Sequence, residues 1–269
     1  MTHVAASQDP IIEVTDLVTH YGTREILRGI SLRVRRGEIM VIMGGSGSGK
    51  STLLRHLLGL QRPTSGSIRL LGRDITTLSG HEMDQLRKEM GVAFQGGALF
   101  GSMTVGENVR LPLREHTKLD RNTMEIMTRM KLEIVSLSGF EDLMPSELSG
   151  GMIKRAALAR AVIMDPKMLF FDEPSAGLDP VAAVELDELI LKLRRALNIT
   201  IVVVTHDLDS AFKIADRIIV LDQGEILMKG TVEEVRDSDN ERIRGLINRL
   251  PRHIVPDTDE YLKRLTGRP

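Results

Sequence analysis

Gly44-Gly45-Ser46-Gly47-Ser48-Gly49-Lys50-Ser51 fits the pattern G-x-x-x-x-G-K-[ST], with Thr52 continuing it. An apolar run, Ile39–Met43, precedes it, and a helix-forming segment over 50–60 follows. Strand, Gly-rich turn and helix in that order build a phosphate cradle. Glycines let the backbone wrap an anion with its N–H groups turned inward, and the helix N-terminus adds positive potential. Lys50 is the candidate for the β- and γ-phosphates of ATP, and the Ser51 hydroxyl for Mg²⁺. A flexible Gly/Ser turn is the competing reading; the strand–helix setting disfavours it.

The rest of the chain is compatible with such a domain. It has 269 residues, 42% hydrophobic and 27% charged, with 36 Lys+Arg against 37 Asp+Glu. That balance argues against a protein that coats nucleic acid, so no nucleic-acid partner is expected. Cysteine is absent, which excludes disulfides and thiolate metal sites and fits a reducing compartment. The first ten residues lack the apolar core of a secretion signal, and no apolar run approaches 18 residues. A role at the membrane must then come through a partner.

Strand-like alternation is read over 11–18, 26–34 and 38–43, with turns at Gly22 and Arg36-Gly37. From about Glu82 to Ser146 the pattern becomes Met-rich, amphipathic and mostly helical, as over 122–137. Alternation then returns. Residues 168–172 and 200–205 read as buried strands, 181–197 as a helix, and 217–221 with 225–228 as a hairpin. The last thirty-odd residues are charged and Pro-punctuated. Within them 241–250 can form a helix with Ile243, Leu246, Ile247 and Leu250 on one side, suited to docking. Beyond Pro251 and Pro256, Tyr261, Leu262 and Leu265 offer further apolar contacts, with a frayed terminus as the bland reading.

Three further segments carry chemistry. Met168-Leu169-Phe170-Phe171 ends in Asp172-Glu173, where Asp172 can hold Mg²⁺ through water and Glu173 can polarise the attacking water. Two carboxylates so close should raise each other's pKa unless a metal neutralises one. Leu148-Ser149-Gly150-Gly151-Met152 opens an Ala-rich helix, with Ser149 as N-cap; Arg155 and Arg160 on that helix read as surface or packing charges. Asp179 before Pro180 is likewise a good N-cap.

The segment Leu148-Ser149-Gly150-Gly151-Met152 resembles the LSGGQ signature of ATP-binding-cassette (ABC) ATPases. The resemblance covers about residues 10–235, with the motifs in order, and implies an α/β P-loop NTPase (RecA-like) core. That core has a mainly parallel sheet, an antiparallel β subdomain and a helical insert at about 96–160; residues 236–269 form a tail. It further implies that Ser149, Gly150 and Gly151 bind the γ-phosphate of ATP held by a second copy, and that Asp179 lies at the dimer interface. Tyr21 matches the aromatic that stacks on adenine. Gln95 matches the glutamine that contacts Mg²⁺ and water and links the site to the membrane subunit. His206 matches the histidine that holds the γ-phosphate and Glu173. Met152, Ile153 and Lys154 depart from the usual polar residues, and Met152 removes a hydrogen bond to ribose.

Phe94-Gln95-Gly96-Gly97-Ala98-Leu99-Phe100, Leu111-Pro112-Leu113-Arg114-Glu115-His116-Thr117 and Leu143-Met144-Pro145-Ser146-Glu147 are similar to the ATPases of MCE-type phospholipid transporters of Gram-negative bacteria. That resemblance implies a homodimer on the cytoplasmic face of the inner membrane, a membrane permease subunit, a STAS-domain protein and an MCE lipid-binding protein. Another cargo, or a soluble ABC ATPase acting on DNA or ribosomes, is the alternative. Gly96-Gly97 offers backbone freedom next to Gln95. Ala98, Leu99, Phe100 and Met103 are candidates either to line a socket for a permease helix or to pack inside the insert.

Overall fold

The computed structural model describes residues 9–249. It begins with a hairpin, β1 (Pro10–Tyr21) and β2 (Arg24–Arg35), followed by β3 (Ile39–Met43), α1 (Lys50–Leu57), β4 (Ser65–Leu70) and β5 (Arg73–Asp74). Next come α2 (Gly80–Arg87), β6 (Met90–Ala93), α3 (Val105–His116), α4 (Arg121–Ile134) and α5 (Gly150–Ala161). Alternation then resumes with β7 (Met168–Asp172), α6 (Pro180–Leu197), β8 (Thr200–Thr205), α7 (Leu208–Ile214), β9 (Arg217–Asp222) and β10 (Glu225–Gly230). Two short helices, α8 (Val232–Arg236) and α9 (Glu241–Ile247), follow.

Two sheets result. One has the order β10-β9-β3-β8-β7-β6, parallel except for β10; the other, β2-β1-β4-β5, is antiparallel. Successive side chains of a strand point to opposite faces, and both faces of the larger sheet are covered. Val41, Met43, Phe171, Ile201 and Val203 join a cluster with α3, α4, α5 and α6. Met40, Ile42, Phe170, Val202 and Val204 join another with Leu53, Leu54 and Leu57 of α1 and the smaller sheet. Double coverage is why these strands read as unbroken apolar runs. Phe170 and Phe171 are buried on opposite faces, each stabilising the fold by about 1.5–3 kcal/mol.

Residues 96–160 hold α3, α4 and α5 and no strand. Capping boxes start α2 at Ser79–Glu82 and α3 at Thr104–Glu107, each satisfying N–H groups that a helix start would otherwise leave orphaned. Two expectations are corrected. The helix at 50 ends at Leu57 rather than 60. The apolar side of α9 is used internally: Ile243 is buried in the larger cluster, and Leu246 and Ile247 pack against it. Leu250, Pro251, Pro256, Tyr261, Leu262 and Leu265 lie outside the described residues. Among the described residues no helix is long and apolar enough to cross a membrane.

Candidate functional site

Strand register decides what meets what. Ala93 pairs with Phe171, Phe171 with Val203, and Val203 with Val41. Two residues beyond that row stand Gln95, Glu173, Thr205 and Met43, and one further stand Gly44 and His206. The carboxyl end of a parallel sheet thus gathers residues far apart in sequence, where open α/β sheets bind their ligands.

The phosphate loop is built tightly into this edge. A Cβ on Gly44 would lie 2.1 Å from the Leu221 carbonyl oxygen, so only glycine lets the loop leave β3 beside β9. The Gly224 amide donates to the Ser48 carbonyl at 3.0 Å and pins the loop to the β9–β10 turn. Lys50 is buried and donates from Nζ to the carbonyls of Gly44 and Gly45 at 2.8 and 3.0 Å. Ser48 Oγ is buried and has no hydrogen-bond partner among the described residues, a condition rare in proteins. A buried hydroxyl and an ammonium in a Gly-rich loop at a helix start suit an anion's oxygens. Ser46, Gly47 and Ser51 are exposed, Gly45 and Gly49 half-buried, and Thr52 buried on α1.

Glu173 has its backbone in the left-handed region, φ 49°, which costs a non-glycine residue about 1–3 kcal/mol and persists only where the surroundings hold it. Its amide donates to Val204 O at 2.8 Å. Its Oε2 accepts from Thr205 Oγ1 (3.1 Å), the His206 amide (3.2 Å) and His206 Nδ1 (2.9 Å), and Oε1 takes none of these three bonds. With Nδ1 committed to Glu173, Nε2 is the nitrogen of the exposed His206 ring that remains for a ligand.

Asp172 is held above the usual carboxylate range by burial first and by the charge of Glu173 second, with Arg55, Lys50 and Lys154 opposing. The effect of Glu173 on Asp172 is therefore present, though secondary to burial. A divalent cation would find a hydroxyl at Ser51, a carboxylate at Asp172 and an amide at Gln95. Among the described residues no three His, Cys, Asp or Glu side chains gather into a metal site. So sparse a donor set fits a cation that arrives with a nucleotide's phosphates.

Gln95 is exposed in the turn after β6. The backbone freedom expected of the next residues is absent at Gly97. Its φ is +75° and a Cβ there would meet Ile153 Cγ2 at 2.6 Å, so it is seated against α5. The neighbouring apolar residues divide: Ala98 and Phe100 are exposed, while Leu99 is half-buried against the larger core and Met103 half-buried. Tyr21 is exposed at the end of β1 and donates from its hydroxyl to Gln61 Oε1 at 2.8 Å.

Ser149 caps α5, its Oγ accepting from the Met152 amide at 3.3 Å. Beside it lies a cleft of about 270 Å³ lined by Gly150, Gly151, Arg155, Gly177, Leu178 and Asp179 among others, and by no residue of 44–52. Met152 packs against the larger core, which gives this departure from the usual glutamine a packing role. Asp179 caps α6, accepting from the amides of Val181 and Ala182 at 3.0 Å.

Some functional contacts were not legible in the sequence. Thr205 binds Glu173, and Ser175 Oγ donates to Asp207 Oδ2 at 2.9 Å. Of the two readings of Arg160, surface or packing charge, the second holds: it donates to the carbonyls of Ala98 and Gly97 at 2.7 and 2.8 Å, and burial lowers its pKa. Lys154 donates to the Glu173 carbonyl at 3.3 Å; burial lowers its pKa while Glu173 and Asp172 pull it back up. Its only sequence signal was its place in the departing Met152-Ile153-Lys154.

Residues 27–176 match the ABC transporter family. The chain is 44% identical to the intermembrane phospholipid transport system ATP-binding protein MlaF of Haemophilus influenzae, over 87% of this chain and 88% of that protein. Its identity to MlaF of Escherichia coli is 42%, over 91% of each. It is 41% identical to the probable ribonucleotide transport ATP-binding protein mkl of Mycobacterium tuberculosis, over 88% of this chain but 66% of that one. Among solved structures, cbiO1 of Clostridium perfringens, part of the ABC transporter complex cbiONQ, superposes with a TM-score of 0.80 at 33% identity, covering 91% of this chain and 97% of that one. The dimeric cassette MJ0796 bound to ADP and Pi superposes with a TM-score of 0.74 at 30% identity, covering 82% and 98%. By sequence, by fold and by the phosphate loop set beside its two acids, the chain belongs to the ABC transporter family and is one of its ATP-hydrolysing subunits.

Proposed function

We propose that the chain works as a homodimer that binds two ATP molecules between its copies and drives a membrane permease moving phospholipids between membranes. The observation that carries this reading is the separation of two half-sites. The phosphate loop lies at the carboxyl edge of the large sheet, whereas Ser149, Gly150 and Gly151 line a cleft that includes none of its residues. A helix N-terminus with open glycines suits a γ-phosphate presented by another copy.

Within one site, Lys50 exchanges its bonds to Gly44 and Gly45 for phosphate oxygens, and Tyr21 stacks on adenine. Ser51, Asp172 and Gln95 are the residues that would hold Mg²⁺, which would neutralise phosphate charge when bound. Glu173, pinned through Oε2, accepts a proton from the attacking water on Oε1. His206 keeps Glu173 in place from Nδ1 and reaches the γ-phosphate from Nε2. Asp179 contacts the second copy while capping α6.

Phospholipid is the cargo favoured, because the match to MlaF spans nearly all of both chains whereas mkl extends well beyond it. The permease docks near Gln95 and Phe100 at the cytoplasmic face of the inner membrane; STAS-domain and MCE proteins complete the assembly. To test this, Lys50→Ala and Ser149→Arg copies are mixed, which should restore one intact site per heterodimer. Permease complexes reconstituted in liposomes should then move labelled phospholipid on ATP addition. Full activity in a monomer would refute the shared sites, and transfer of ribonucleotide without lipid would replace the cargo.

A further inference from the structure

Helix α5 carries three cations, and each ends on backbone carbonyl groups of a different segment. Lys154 Nζ donates to Glu173 O at 3.3 Å, Arg155 Nη1 to Val135 O at 3.2 Å, and Arg160 to Gly97 O and Ala98 O at 2.8 and 2.7 Å. Ser149, Gly150 and Gly151 form the other end of the same helix. Residues three and four apart share a helix face, so Lys154 lies one turn beyond Gly150 and Gly151 on a rigid element. Whatever the first turn of α5 binds is therefore joined, through one side chain, to the backbone of Glu173.

That backbone is where such a tie has leverage. The left-handed φ of 49° at Glu173 is kept by its surroundings. The Val204 carbonyl holds its amide, Thr205 and His206 hold its carboxylate, and the Ala176 amide (3.2 Å) and Lys154 (3.3 Å) share its carbonyl. The first two anchors belong to β8 and the residue after it. Lys154 alone among these ties Glu173 to a helix whose first turn lines a cleft that includes no residue of its own chain's phosphate loop.

We infer that Lys154 is a positioning residue through which ATP bound on Ser149, Gly150 and Gly151 of one copy sets the geometry of that copy's own Glu173, which serves the other ATP. This rests on the shared-site reading above. The two sites of the dimer then fire together, because loading one site orders the base of the other.

Heterodimers of the full-length chain, isolated through two different tags, test the relay. Copy B carries Glu173→Gln, so its site binds ATP without rapid hydrolysis, or Lys50→Ala, so its site binds none. In both, only copy A hydrolyses, and the ratio of the two rates measures how far the loaded neighbour stimulates it. With unaltered copy A the ratio is expected at about tenfold, within the usual range of allosteric coupling. With Lys154→Met in copy A it should fall to about one; Lys154→Arg should restore it, and nucleotide affinity and melting temperature of copy A should not move. A ratio kept at the unaltered value, including the case where both rates drop by the same factor, would overturn the relay. Should Lys154→Met melt early, Lys154→Gln, whose amide nitrogen stops one bond short of Lys154 Nζ and so loses the Glu173 carbonyl, is read in the same way. A ratio of one for unaltered copy A would overturn the relay, whereas failure of Lys50→Ala and Ser149→Arg copies to complement each other would overturn the shared-site reading.

Discussion

Glu173→Gln changes one atom's chemistry and leaves the shape, and the structure sets how large each consequence should be. Oε2 receives three donors, from Thr205 Oγ1, the His206 amide and His206 Nδ1. The amide of Gln therefore settles with its oxygen on them and its NH₂ where Oε1 stood. The reverse orientation would set donors against donors, at about 1–3 kcal/mol for each left unsatisfied. In the favoured orientation all three bonds survive, weakened because the acceptor is neutral. Relief of the repulsion with Asp172 works the other way. The net stability change should stay within about 1 kcal/mol, a shift of roughly 2–4 °C in Tm for a chain of this size. Chemistry is affected far more. Loss of a general base slows the step by about 10²–10⁴, or roughly 2.7–5.4 kcal/mol at 1.36 kcal/mol per tenfold. Single-turnover hydrolysis of labelled ATP, light scattering to detect an ATP-held dimer, and a melting curve together read all three quantities. Turnover within about threefold of the unaltered protein and no trapped dimer would show that Glu173 is not the base. A large drop in Tm would show that its role is structural.

Asp172→Asn should raise Tm while abolishing Mg²⁺-dependent hydrolysis. Burial and Glu173 hold the Asp172 carboxyl above its ordinary range, so the native chain binds its proton more tightly than the unfolded chain. Stability contributed by this group therefore falls as pH rises from about 4 through the raised value, and Asn removes that slope. A lower melt for Asn than for Asp at neutral pH would contradict the argument. Leu99 and Phe100 are neighbours with different fates: Leu99→Asp puts a charge against the larger core and should lower Tm by several degrees. Phe100, 52% exposed, should tolerate Asp without loss of stability yet lose capture by the permease in a pull-down. Unchanged capture would move the docking surface elsewhere.

Local chemistry alone was enough for much of this protein. The phosphate loop, the apolar strands 39–43, 168–172 and 200–205, and the caps at Ser149 and Asp179 are set by near-neighbour physics. Glycine permits the turn, branched side chains fill a sheet covered on both faces, and a short polar side chain satisfies the first helix amides. Register and packing decided the rest, because they depend on residues that the chain brings together only after closing long loops. The alignment of Gln95, Glu173 and His206 at one sheet edge follows from two parallel strand pairs. The inward turn of α9 follows from Ile243 finding the same core as Val232 and Val235. A one-dimensional pattern leaves Arg160 either a surface or a packing charge and gives Lys154 no partner. Only the fold shows that their ammonium and guanidinium groups end on the carbonyls of Glu173, Gly97 and Ala98, since a carbonyl carries no side-chain identity for a sequence to display.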